Sequence, residues 1–137
     1  MPLTNVDIAR EVIETFNREG IEATLDRTHP EAEIHPFAEW PGPDRYEGHD
    51  GLVQLVGEWT ENFDDYGWLP ERYVEARGDT VVVLARHGGN AKDQGVPVDQ
   101  PVAGVFRFDN GVIVRMDYFL TWEEALRFAD TEWEPAP

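Results

Sequence analysis

Four strand-like runs, Arg72 to Ala76, Val81 to His87, Val98 to Phe108 and Val112 to Leu120, fill the second half of the chain with turn residues between them. Runs this short and this close in sequence pair most economically as hairpins, so an antiparallel sheet is expected. Gly78-Asp79 and Asp109-Asn110-Gly111 supply tight turns, while Gly88 through Pro97 reads as a longer, flexible connection. The last run constrains the fold most. Alternation puts Ile113, Arg115, Asp117 and Phe119 on one face and Val112, Val114, Met116 and Tyr118 on the other. Two charges therefore sit among large apolar groups. A carboxylate in such a setting has to be paired, hydrogen-bonded or neutralised, and perturbed acids of this kind gather at functional sites.

The first half is helical in character. Thr4 followed by Asp7 resembles an N-terminal cap, and Ile8, Ala9, Val12, Ile13 and Phe16 recur at helical spacing until Gly20 stops them. Ile21 to Leu25 can add a short helical turn, and Ala32 to His35 a brief strand ending at Pro36. Residues 37–51 hold two prolines and three glycines, which marks a long loop that covers or shapes a site. A second helix follows, capped by Asp50, with Leu52, Val53, Leu55, Val56, Trp59 and Phe63 as its stripe and an end near Asp64, Asp65 and Gly67. Thr121 with Glu124 forms a capping-box pattern for a last helix through about Phe128. The tail 130–137 is expected to be loosely held, with Trp133 as its one anchor.

The length of 137 residues suits a single domain over 1–137. Its 28 acidic against 11 basic residues give a net charge of −17, which repels phosphate backbones and anionic membranes. Neither nucleic acid nor a membrane is an expected partner. The chain has no cysteine and no serine, so thiol and serine nucleophiles are excluded. His29, His35, His49 and His87 lack metal-ligand spacing, and Gly88-Gly89-Asn90 with Lys92 is not a phosphate loop, so neither metal nor cofactor is expected. The opening residues show no basic start and no apolar run of signal length, which makes a cytoplasmic protein the default expectation.

A two-residue turn at Asn110-Gly111 would pair Asp109 with Val112, Phe108 with Ile113, Phe106 with Arg115 and Gly104 with Asp117. Glycine opposite the carboxylate could leave room for water or ligand, or mark a bulge. Two amphipathic helices and one curved sheet must bury their apolar faces together, which gives an α+β cone able to enclose a pocket. The outward strip of Val114, Met116 and Tyr118, with Val105 and Ala103, wants cover that a homodimer through the sheets would provide.

Several segments resemble the SnoaL-like polyketide cyclase branch of the nuclear transport factor 2-like (ketosteroid isomerase-like) superfamily. These are the capped first helix, the loop Trp40-Pro41-Gly42-Pro43 leading to Tyr46-Glu47-Gly48-His49-Asp50-Gly51, and the closing Gly-Val-Ile-Val-Arg-Met-Asp-Tyr-Phe with Glu-Ala-Leu. The resemblance runs from about Val6 to Phe128 and implies the cone-shaped fold, with helices on a curved, mainly antiparallel sheet around a cavity, and frequent dimerisation. It implies an acid/base aspartate in the cavity, which here matches Asp117. The Asp-Tyr-Phe segment is also similar to limonene epoxide hydrolase, but those enzymes need an Arg-x-Asp on an earlier strand. Arg86-His87-Gly88 lacks that second acid.

The resulting expectation is a protein that holds a small polar cyclic or polyketide-like molecule and performs cofactor-free cyclase, isomerase or lyase chemistry. Asp117 would move the proton, while Arg86 or His35 polarises or orients the substrate. Trp40 and Tyr46 would shape the entrance, and Arg115, Phe106, Phe119 and Trp59 would contact the ligand, with Tyr66 and Trp68 as further lining aromatics. Each has a plainer role beside it: Asp117 in an ion pair with Arg86 or Arg115, Trp59 in helix packing, His35 as a structural histidine. The competing expectation is a ligand-binding or dimerising module of the same fold without turnover.

Overall fold

The structure is a computed structural model that describes residues 3–92 and 97–133. Helix α1 (Asn5–Glu19) starts with the expected capping box, in which Thr4 Oγ1 accepts from Asp7 N–H and Asp7 accepts from Thr4 N–H, and it ends at Gly20. A 3-10 helix (Ile21–Arg27) leads into β1 (Thr28–His35), which begins earlier than the sequence reading placed it. The loop after His35 is shorter than expected, because β2 (Tyr46–Glu47) and α2 (Gly48–Thr60) begin inside the region 37–51. Helix α2 has Glu47 at its N-cap without a side-chain cap bond, so Asp50 lies within its first turn.

The largest difference lies at β3 (Phe63–Ala76). Asp64, Asp65 and Gly67 look like a helix terminus but belong to a strand, because their turn chemistry builds a bulge. Strand β4 (Thr80–Ala91) continues through the glycines first read as a connection, and β5 (Pro97–Asp109) and β6 (Val112–Phe119) follow. Helix α3 (Trp122–Trp133) runs past Phe128. Residues 134–137 and the side chains of 130–133, including the anchor expected of Trp133, lie outside those described.

The sheet order is β2-β1-β6-β5-β4-β3, antiparallel except for the β1–β6 pair. Asn110 and Gly111, both with positive φ, close the tight β5–β6 turn, and Asp109–Val112 and Phe108–Ile113 pair as counted from sequence. Beyond them the count fails. Arg107 pairs with Arg115, leaving Val114 as an extra residue, so Asp117 faces Val105 and Gly104 faces Tyr118. One inserted residue reverses the alternation of everything after it.

Two apolar layers result. On the concave face, Ile8, Val12 and Ile13 of α1 and Leu52 and Leu55 of α2 pack on Val81, Val83, Ala85, Val102, Phe106, Ile113, Met116 and Tyr118. On the convex face, Ala125 and Ala129 of α3 cover Val82, Leu84, Ala103 and Val105, flanked by Phe119 and Phe128. Trp122 ties α3 down by donating its Nε1–H to the Ala85 carbonyl at 2.9 Å. The strip expected to require a second copy is thus divided: Met116 and Tyr118 face the helices, and Ala103 and Val105 lie under α3.

Candidate functional site

The concave face is not packed solid. Val12, Ile13, Phe16, Ile21, Thr24, Val56, Trp59, Thr60, Tyr66, Trp68, Phe106, Met116 and Tyr118 enclose a chamber of about 50 Å³. That is room for a few waters or one edge of a ring. A wider vestibule of about 450 Å³ adjoins it across Phe16, Ile21, Val56, Thr60 and Tyr66, and adds Asn17, Glu22 and Phe63 to the wall. Together they form a funnel between the C-terminal end of α1, the face of α2 and the start of β3.

Polar groups on this apolar wall are few and specifically held. The Thr24 and Thr60 hydroxyls donate to the Ile21 and Val56 carbonyls of their own helices at 2.7 and 2.8 Å. The Tyr66 hydroxyl accepts from Trp68 Nε1–H at 3.2 Å and lies 2.6 Å from His87 Nδ1. Its backbone explains how it arrives there. Between Asp64 and Gly67 β3 carries one residue more than β4 opposite it, Asp65 has φ 57°, and the bulge turns Tyr66 inward. A Cβ on Gly89 would meet the Asp64 carbonyl oxygen at 2.5 Å, so glycine is what lets the bulge close. Asn17 of α1 clamps the next step, accepting from Trp68 N–H at 2.9 Å and donating to its carbonyl at 2.6 Å.

His87 projects from β4 on the same side as Val81, Val83 and Ala85, and its ring meets those of Trp59 and Tyr66 edge-on. Among the described residues its Nε2 is buried without a hydrogen-bond partner. Burial lowers its pKa to about 4, against a weak opposing pull from Asp99. The ring is therefore neutral near pH 7. Desolvation raises the pKa of Tyr66 and of buried Tyr118, so both phenols keep their protons. Tyr118 donates only to Met116 Sδ, at 3.3 Å, a weak acceptor.

The residues proposed from sequence are distributed over three places. Phe106 and Trp59 line the chamber. Trp40 and Tyr46 stand behind Trp59: Trp40 Nε1–H donates to the Tyr46 hydroxyl at 3.0 Å, that hydroxyl donates to Glu58 at 2.8 Å, and the Trp40 ring lies 6.0 Å from that of Trp59. They bracket the 36–45 loop onto α2, and neither borders the chamber. Asp117, Arg115, His35 and Phe119 are on the convex side. Asp117 is 6% exposed and accepts from Arg115 at 2.8 and 3.3 Å, while the Arg115 guanidinium lies over the Phe128 ring of α3.

His35 stands beside Asp117 in the β1–β6 register, and both border a cleft against α3. The expected inward orientation of Asp117 is corrected by the Val114 bulge, and that of His35 by its pairing with Asp117. Arg86 is also convex, in an exposed pair with Asp99 at 2.7 Å. Among the described residues no carboxylate lines the chamber. Gly104, expected to open space at Asp117, lets the Phe106 ring lie 2.9 Å from where a Cβ would stand.

Tyr66 and Trp68 are legible in the sequence as lining aromatics, whereas His87 marks a strand end there. Its signal was present: extending the alternation Val81, Val83, Ala85 by one step puts His87 on the inner face. His49 and His29 are structural, the first bonding the Thr28 carbonyl at 2.6 Å and the second accepting from Glu31 N–H.

Residues 9–116 match the model of the SnoaL-like domain. No curated protein matches the chain. Among solved structures, a nuclear transport factor 2-like protein from Burkholderia thailandensis E264 superposes with a TM-score of 0.76 at 25% identity, over 93% of this chain and 98% of that one. A candidate SnoaL-like polyketide cyclase from Jannaschia sp. CCS1 superposes at 0.73 with 21% identity, over 97% and 93% of the two chains. TerC, co-crystallised with polyporic acid, superposes at 0.73 with 18% identity, over 90% and 98%.

Proposed function

Since the chain belongs to the SnoaL-like domain family, whose architecture does not by itself fix an activity, we propose that it binds a small ring-bearing molecule in the α1–α2 funnel. A carbonyl or hydroxyl oxygen of that molecule sits on the Tyr66 hydroxyl. The observation that carries this is a single phenol fixed by Trp68 and His87 at the junction of chamber and vestibule. The small chamber takes the oxygen-bearing edge and the vestibule takes the remaining ring. A relative co-crystallised with polyporic acid supports small-molecule binding on this fold.

The finer proposal is cofactor-free acid/base rearrangement of the cyclase or isomerase kind. Neutral hydroxyls in an apolar pocket stabilise charge developing on a carbonyl oxygen when they turn to donate to it, and Tyr66 and Tyr118 keep the protons this needs. Asp117 then serves as structure through Arg115, because it lies on the other side of the sheet. The second reading, binding without turnover, is favoured by the lack of a carboxylate base in the chamber wall among the described residues.

The test is a titration with 2-acetylnaphthalene and with naphthalene, followed by quenching of tryptophan fluorescence. Tyr66→Phe is expected to weaken the ketone about 10-fold, equivalent to about 1.4 kcal/mol, and to leave naphthalene within about 2-fold. Equal effects on both probes, or no binding of the ketone to the wild type, would overturn the proposal.

A further inference from the structure

Resting on the binding reading above, we infer that His87 is a positioning residue whose choice of tautomer sets whether Tyr66 offers the ligand a lone pair or a proton. Proton counting gives the argument. A neutral imidazole carries one N–H, and a phenol one O–H. Trp68 Nε1–H already donates to the Tyr66 oxygen, and His87 Nδ1 is 2.6 Å away on the same hydroxyl.

With the His87 proton on Nε2, the Tyr66 hydroxyl donates to Nδ1 and turns a lone pair toward the chamber. With the proton on Nδ1, that N–H donates to the Tyr66 oxygen, both of its lone pairs are used, and the hydroxyl proton is free to donate inward. The first arrangement suits a ligand with an N–H or O–H, the second a ligand with a carbonyl.

The environment allows both. Among the described residues His87 Nε2 is buried without a partner, and none of them pins the ring in one tautomer. Histidines held in a single tautomer have their second nitrogen bonded to a carbonyl or carboxylate. The shift of His87 to about 4 keeps the cation out of the balance near pH 7. In the empty chamber the Nε2–H form is preferred, because it leaves only that N–H unpaired. The alternative leaves both the Tyr66 proton and the Nε2 lone pair without partners. His87 also borders a second cleft with Arg86, Gly88 and Asp99. One hydroxyl can therefore hydrogen-bond either a ligand carbonyl, as donor, or a ligand N–H or O–H, as acceptor.

The experiment uses the full chain labelled with [15N]histidine, with His87 assigned by the loss of its signals in His87→Asn. Indole serves as a donor-only probe and 2-acetylnaphthalene as an acceptor-only probe. Nitrogen shifts are expected to place the proton on Nε2 in the free and indole-bound protein and on Nδ1 with the ketone. His87→Asn, whose amide can turn either its oxygen or its nitrogen toward Tyr66, is expected to hold both affinities within about 3-fold. His87→Phe leaves the Tyr66 proton without a protein acceptor and should shift selectivity toward the ketone about 10-fold. Should both probes bind while the His87 proton stays on one nitrogen, the inference falls and the binding reading stands. Should neither probe bind, both fall.

Discussion

Burial acts differently on the two titratable residues that matter most here. His87 on the concave face is bonded to the neutral Tyr66 hydroxyl, and desolvation drives it neutral. Asp117 is a carboxylate with a guanidinium bonded to it on the convex face. For His87 a folded pKa of about 4 lies below the unfolded 6.5, so the unfolded chain binds more protons between those values. Its contribution to stability is complete above pH 6.5 and is lost as pH falls toward 4. The ring is partly exposed, which trims the effect to about 1–2 kcal/mol. Urea titrations at pH 7 and pH 4.5 should show the wild type losing that much more stability than His87→Asn on acidification.

Asp117→Asn removes one partner of a pair in which Arg115 keeps 24% of its side-chain surface. A loss of about 2 kcal/mol is expected, less than for a fully buried pair. Affinity for 2-acetylnaphthalene should remain within about 2-fold of wild type. A large loss of affinity at unchanged stability would instead place Asp117 in the binding machinery.

Among the elements, the bulges carry the functional geometry. The insertion at Val114 moves Asp117 out of the chamber, and the one at Asp65–Tyr66 moves a phenol in. Strand β4 allows the second by its glycines: Gly88 has φ 153°, and a Cβ there would stand 1.7 Å from the Val98 carbonyl oxygen. That atom is backbone and cannot rotate away. Gly88→Ala should therefore cost about 2–3 kcal/mol, read as a lowered thermal midpoint, and should weaken ketone binding because His87 is the adjacent residue.

The sequence showed the helices and hairpins here because cap, periodicity and turn chemistry are local. It hid the first half of β3, whose bulge uses the same Asp and Gly residues that end helices.

At the scale of the whole molecule, the sheet is sandwiched between unlike layers, with α1 and α2 over a hollow and α3 packed flat. A net charge of −17 surrounds this body. Self-repulsion of that size weakens the compact state and is screened by salt, whose Debye length falls from about 30 Å at 0.01 M to about 3 Å at 1 M. The thermal midpoint should rise by several degrees between 0.01 and 0.5 M sodium chloride. A flat or falling midpoint would show that local ion pairs, such as Arg45 with Glu33 and Glu47, outweigh the long-range repulsion.

By itself the sequence determined that helices with capped, amphipathic faces would close over a mainly antiparallel sheet, and its motifs placed the chain near its family. Those properties depend on neighbours within a turn or a hairpin. Which side of the sheet each late residue faces was decided only by tertiary structure. Facing is a parity, and a single extra residue changes it for every position that follows. That residue is inserted where strands pair, so the inward place of Tyr66 and the outward place of Asp117 are properties of the assembled sheet.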